Sequence, residues 1–166
     1  GDGRMDKSTV FAENLQLPFG IMRWKKGLLV ADAPDILYLE DSTGDGKADI
    51  RRIMLTGFAV SNAQMNVSNP LYGLDNWIYL TSESGSTYQI YKKEFGDLGD
   101  DIFFPDQPET PRLPLKGSGR TVRFRPDQRQ LELTSGKTQF GHTFDNWGHH
   151  ILGNNSNHIY HEVIAE

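Results

Sequence analysis

The residues best suited to chemistry fall into an acidic turn, a histidine-rich C-terminal stretch and one arginine-bearing strand. Asp41-Ser42-Thr43-Gly44-Asp45-Gly46-Lys47-Ala48-Asp49 places side-chain oxygens at loop positions 1, 3, 5 and 9, with glycine at position 6. Calcium takes about six to eight oxygen ligands, and this spacing wraps side chains and one backbone carbonyl, that of Lys47, around a single point. Asp41, Thr43, Asp45, Lys47 and Asp49 are therefore the candidate metal ligands. The loop departs from an EF-hand at position 12, which is Arg52 rather than a bidentate glutamate, and its flanks read as strands. Asp-Gly turns also close β-hairpins with no metal, so a metal-free turn stands as the second reading.

All five histidines lie late in the chain: His142, His149, His150, His158 and His161. In a strand His149 and His150 point to opposite faces and cannot join one site. His142 and His158 each sit beside a turn and are the candidate acid–base residues; the other reading is packing or strand surface. Arg123 and Arg125 share a face opposite Val122 and Phe124. Such a pair suits bidentate capture of a carboxylate ligand, and Arg123 and Arg125 are the candidate cofactor-binding residues; the other reading is a solvated outer face. Trp24, Trp77 and Trp147 recur at matching places and read as core.

These residues need strands to hold them, and the strands repeat. Leu74-Asp75-Asn76-Trp77 is matched by Phe144-Asp145-Asn146-Trp147, with a weaker copy ending at Trp24. A short apolar strand follows each: Leu28–Val30, Ile78–Leu80 and His150–Leu152. A polar turn and a second alternating strand come next: Ile36–Leu39, Tyr88–Tyr91 and Ile159–His161. Alternation of apolar with polar residues at period two is the strand signal. A hairpin of Ile36–Leu39 with Ile50–Leu55 is matched by Thr121–Phe124 with Leu131–Leu133. Four-stranded antiparallel units repeating at roughly 40–50 residues are the mark of propeller blades. The fold class expected is all-β, a partial β-propeller of about three blades, with a compact β-sandwich as the alternative.

On this reading residues 1–166 form a single incomplete propeller segment. Ser8–Phe11 supplies the last strand of one blade, two full blades follow, and most of another ends the chain. Residues at about 92–118, rich in Asp, Pro and Gly, are expected to form a surface loop insertion. An open arc exposes strand edges and apolar blade faces, so the rest of a longer chain or a second chain is expected to complete the ring.

Composition narrows the function classes. With 37% hydrophobic residues, 17 Gly and 8 Pro, the chain has enough apolar matter for a core and frequent turn signals. Its formal charge of −5 disfavours general nucleic-acid binding. The absence of Cys removes disulfides, thiolate catalysis and covalent c-type haem from these residues. No apolar run is long enough to span a bilayer.

Several motifs in order carry a resemblance. They are Asp-Gly-Arg-Met-Asp and Thr-Val-Phe-Ala within 2–12, Val-Ala-Asp-Ala-Pro-Asp-Ile-Leu-Tyr-Leu at 30–39, the acidic turn, and Leu-Thr-Gly-Phe at 55–58. Gly-Leu-Asp-Asn-Trp-Ile-Tyr follows at 73–79, Gly-Arg-Thr-Val-Arg-Phe-Arg-Pro-Asp at 119–127, and Thr-Gln-Phe-Gly-His-Thr-Phe-Asp-Asn-Trp-Gly at 138–148. The chain thereby resembles the N-terminal β-propeller domain of membrane-bound dehydrogenase-like proteins of planctomycetes, verrucomicrobia and related bacteria. The resemblance implies a propeller similar to the soluble glucose and sorbosone dehydrogenases, which oxidise sugars or alcohols with pyrroloquinoline quinone and often calcium. It also implies an exported protein, periplasmic or at the cell surface, with a c-type haem domain outside these residues.

In one place the pattern departs. The sugar dehydrogenases carry a catalytic histidine shortly before the strand that corresponds to Ile78–Leu80. Here that stretch is Asn62-Ala63-Gln64-Met65-Asn66-Val67. Taking a hydride and proton from an alcohol needs a positioned base. Two readings follow: a quinone-dependent sugar or alcohol dehydrogenase domain, or a non-catalytic, calcium-pinned propeller that binds carbohydrate or a partner protein.

Overall fold

The computed structural model describes residues 2–60, 63–82, 99–113 and 120–163. Among these residues the fold is all-β, with three antiparallel sheets. The first contains β1 (Pro18–Trp24), β2 (Gly27–Asp32), β3 (Asp35–Glu40) and β4 (Ile50–Leu55), paired in chain order. The second contains β5 (Ser68–Tyr72), β6 (Ile78–Thr81), β7 (Val122–Arg125) and β8 (Gln130–Leu133), again in chain order. The third contains β9 (Gly141–Phe144), β10 (His150–Gly153) and β11 (Tyr160–Glu162). Among the described strands each sheet is thus a meander in chain order.

The period-two pattern decides what packs where. In β2 and β3 both faces are apolar. Leu29, Ala31, Ile36 and Tyr38 point to one side and join Ile78, Leu80, Val122 and Phe124 of the second sheet in the main core. Val30, Leu37 and Leu39 point to the other side and pack on Phe11, Ala12 and Leu15. The second sheet is treated likewise: Ile78 and Leu80 face the first sheet, while Tyr79 between them meets Phe144 and His150 of the third. The sheets therefore stack in chain order, and their first strands touch, β1 with β5 and β5 with β9. Gly20 permits the first of these approaches, because a Cβ there would lie 2.6 Å from the Asn69 amide nitrogen.

Three expectations are corrected. Ser8–Phe11 is not a strand. It runs over the first sheet as an irregular cover, tied by a 2.7 Å bond from the Ala48 amide to the Phe11 carbonyl; three apolar side chains seat it without a ladder. The described part of the expected surface insertion, 99–113, is not merely superficial. It bridges Thr56 to Phe103 and carries Phe104, fully buried, into the main core. The third tryptophan leaves the pattern: Trp24 and Trp77 are buried at 7% and 6% exposure, but Trp147 is 82% exposed. The expected strand Tyr88–Tyr91 lies outside the described residues.

The Trp147 result has a specific cause. The β5–β6 turn closes with Gly73 N–H to Trp77 O, Asn76 N–H to Gly73 O, and Asn76 at φ 63°. The β9–β10 turn closes with Asp145 N–H to His149 O, Gly148 N–H to Asp145 O, and Gly148 at φ 85°. The structural equivalent of Trp77 is therefore His149. The two Asp-Asn-Trp motifs are out of step by two residues, and the slip puts Trp147 at the turn's tip.

Candidate functional site

The densest group of ionisable side chains lies at the seam between the second and third sheets. His142 on β9 meets His150 on β10 diagonally, Phe144 being the direct partner of His150, and His150 and Glu162 are direct cross-strand partners on β10 and β11. Their bonds form a chain. His142 Nε2 is 2.7 Å from the Asn69 carbonyl at the start of β5, and His142 Nδ1 is 2.8 Å from His150 Nε2. His150 Nδ1 is 2.6 Å from Glu162 Oε2, and Glu162 Oε1 accepts from the Gly136 amide.

Counting donors fixes the direction at the His142 end of that chain. The Asn69 carbonyl only accepts, so His142 donates from Nε2 and accepts at Nδ1. His150 then donates from Nε2 to His142, and its Nδ1 closes the chain against Glu162 Oε2. Burial pushes His142 down to about 4, against the Asn69 bond that favours its charged form; the neighbouring His150 adds to the depression. Burial alone would raise the Glu162 carboxyl, but the His150 bond and the Gly136 amide hold it below the usual carboxylate range. Aromatic rings wall the group: Phe144 stacks on His150 at 4.6 Å and 13°, and Tyr79 lies 4.9 Å from both.

A cleft of about 420 Å3 opens beside the seam, with Tyr79, Arg123, Phe144, His150 and Glu162 in its walls. Arg123 gives Nε and Nη2 to Glu132 at 2.9 and 2.6 Å, and Nη1 to the Tyr79 hydroxyl and Asp75 at 3.1 and 3.4 Å. Burial, together with the Asp75 bond, pushes Tyr79 up to about 12, so it stays a phenol. Arg123 and Arg125 both lie over the Trp77 ring, at 4.6 and 4.4 Å from its centre.

The other expected site residues are dispersed. His158 is exposed in the β10–β11 turn and takes no part in the seam. The acidic turn folds inward on its own backbone. Asp41 accepts from the amides of Thr43, Gly44 and Gly46 and from the Thr43 hydroxyl. Asp45 accepts from the Lys47 amide, and Asp49 from the Ser42 amide and hydroxyl. The Gly46 amide, with those of Gly44 and Thr43, holds the Asp41 carboxyl below its ordinary range, and Ser42 does the same for Asp49. Among the described residues no three His, Cys, Asp or Glu side chains converge as a metal site.

The calcium candidates Asp41 and Asp49 direct their oxygens to the loop's own N–H groups. Of the two arginines expected to hold a quinone's carboxylates, Arg123 has its donors committed to Glu132, Asp75 and Tyr79, whereas Arg125 bonds only neutral oxygens. Sequence reasoning found His142 but missed His150 and Glu162. Their pairing depends on strand register across β10 and β11, for which spacing alone gives no signal. Both ring nitrogens of His142 and of His150 are occupied, so neither ring takes a proton from a bound alcohol without breaking the seam. What the group does as it stands is tie the third sheet to the second.

Among the described residues no helix is long and apolar enough to cross a membrane. No curated protein and no solved structure matches the chain. A family model does: that of a domain of unknown function (DUF7133), over residues 1–166.

Proposed function

The chain belongs to the DUF7133 family along its whole length, and from that premise we propose that it is a run of three β-propeller blades acting as a non-catalytic recognition module in an exported protein. One observation carries this reading. Three antiparallel meanders stack in chain order through their first strands β1, β5 and β9, as successive blades do around a central channel. The strongest ionisable cluster, His142–His150–Glu162, is spent on one of the seams. Trp147, Ile159 and Val163 of the third sheet and its turns remain 82%, 79% and 78% exposed, and a further blade is the occupant that repeats the packing already present. Propellers serve both catalysis and recognition, so the sites must decide between them.

The dehydrogenase alternative is separated by one assay. The purified protein is mixed with pyrroloquinoline quinone, calcium, a panel of sugars and alcohols, and an electron-accepting dye. No dye reduction is expected, while the same protein is retarded in gels containing polysaccharide. Quinone-dependent dye reduction above the protein-free rate overturns the recognition reading.

A further inference from the structure

At the end of the stack that bears the β1–β2, β5–β6 and β7–β8 turns, a second cleft of about 370 Å3 lies between the first and second sheets. That volume falls within the roughly 300–1,000 Å3 of small-molecule sites. Trp24, 7% exposed, and Ile78, 1% exposed, present apolar surface to it; Tyr72, 46% exposed, offers a broad aromatic face. Planar polar groups complete the lining: Asn76 and Gln128, with Asp127 at the rim, ion-paired to Lys25 from the facing turn.

Arg125 is the one cationic residue among those that line this cleft. Its guanidinium rests 4.4 Å from the centre of Trp77, and Nη2 donates to the Asp75 carbonyl at 2.6 Å. Nη1 donates to the side-chain oxygens of Gln130 and Gln128 at 3.2 and 3.5 Å. All three acceptors are neutral. Nε is buried with no hydrogen-bond partner among the described residues. A buried N–H without an acceptor is costly, and a guanidinium held by neutral oxygens still favours a carboxylate. Arg123, two residues away on the same face, differs: Glu132 and Asp75 compensate its charge.

We propose that this cleft binds an acidic sugar residue, a uronate within a polysaccharide, with the carboxylate on Arg125 and the pyranose face on Tyr72. Asn76, Gln128 and Asp127 serve its hydroxyls. The inference rests on the recognition reading and gives it a site and a ligand class.

The test is affinity electrophoresis of the whole chain in gels containing polygalacturonate, heparin or dextran, with Tyr72→Ala and Arg125→Gln beside the wild type. Thermal melts check that both variants fold; Tyr72 is half exposed, so its variant keeps the test open if Arg125→Gln does not. Retardation by polygalacturonate well above that by dextran is expected, weakened about tenfold or more in either variant, and reversed by free galacturonate. Binding by wild type and folded variants alike overturns the cleft but leaves the recognition reading standing. Stronger retardation by heparin than by polygalacturonate overturns the uronate assignment, and equal retardation by dextran overturns the role of Arg125. Failure of the wild type to bind any of the three overturns the cleft, and quinone-dependent dye reduction separately overturns the recognition reading.

Discussion

His150 and Glu162 stand directly opposite each other on β10 and β11, joined at 2.6 Å with about 6% of either side chain exposed. Removing one partner leaves the other buried and uncompensated, which typically costs about 3–5 kcal/mol. Glu162→Ala is therefore expected to lower the urea-unfolding free energy by about 3 kcal/mol. The double replacement His150→Phe with Glu162→Met should recover much of that loss, because a packed apolar pair carries no desolvation cost.

The same seam predicts an acid limb of stability. His142 is held neutral with its folded value near 4, below the ordinary 6.5. Between those values the unfolded chain binds the extra proton, so stability falls as pH drops from about 6.5 to 4, by up to about 3 kcal/mol from this group. Glu162 acts in the same direction further down: its folded value is depressed, so its contribution is present above about 4.5 and lost as pH falls through the folded value. Chemical denaturation at several pH values should show the slope, and His142→Gln should flatten it above pH 4.

Gly20 and Gly141 occupy β1 and β9 on either side of Asn69, yet they should respond differently to alanine. A Cβ at Gly20 meets backbone at 2.6 Å, whereas at Gly141 the nearest atom is the Asn69 side-chain nitrogen at 3.8 Å. Gly20→Ala is expected to cost about 1–3 kcal/mol as the first two sheets are forced apart. Gly141→Ala should change the urea midpoint little.

The tryptophans allow an optical check. Trp147→Ala is expected to leave stability within about 0.5 kcal/mol of wild type and to remove most acrylamide-quenchable fluorescence. Trp77→Ala should cost about 3 kcal/mol or more.

For the acidic turn, the expected outcome is no shift in melting temperature on adding calcium or a chelator. Asp41 and Asp49 already spend their oxygens on the loop's amides and hydroxyl groups. A calcium-dependent rise in melting temperature would show that the loop rearranges around the ion.

Much of this architecture is legible in the sequence, because alternation in Leu28–Val30, Ile36–Leu39, Ile78–Leu80 and Thr121–Phe124 reports burial directly. What escapes is whatever depends on register or on distant packing. The Asp-Asn-Trp motifs look equivalent, but Asp75 bonds to the Trp77 amide alone while Asp145 bonds to those of both Trp147 and His149. That difference sets the two-residue slip. His150 and Glu162 are twelve positions apart, and only the β10–β11 pairing brings them together. Phe104 sits in a stretch that reads as loop by composition, yet fills the main core. Alternation puts Arg123 and Arg125 on one face, but that only Arg123 has carboxylate partners depends on Glu132 and Asp75, one across a hairpin and the other in a distant turn.

The uneven spacing of the strands bears on how the chain reaches this structure. In the first sheet consecutive strands are joined by connections no longer than the acidic turn, whereas β6 ends at Thr81 and β7 begins at Val122. Closing a longer loop costs more chain entropy before any contact rewards it, and non-local pairing slows folding. The first meander is thus expected to form first. The β6–β7 pairing is the step that waits, with the face of Ile36 and Tyr38 already formed as the template on which Ile78, Leu80 and Phe124 condense.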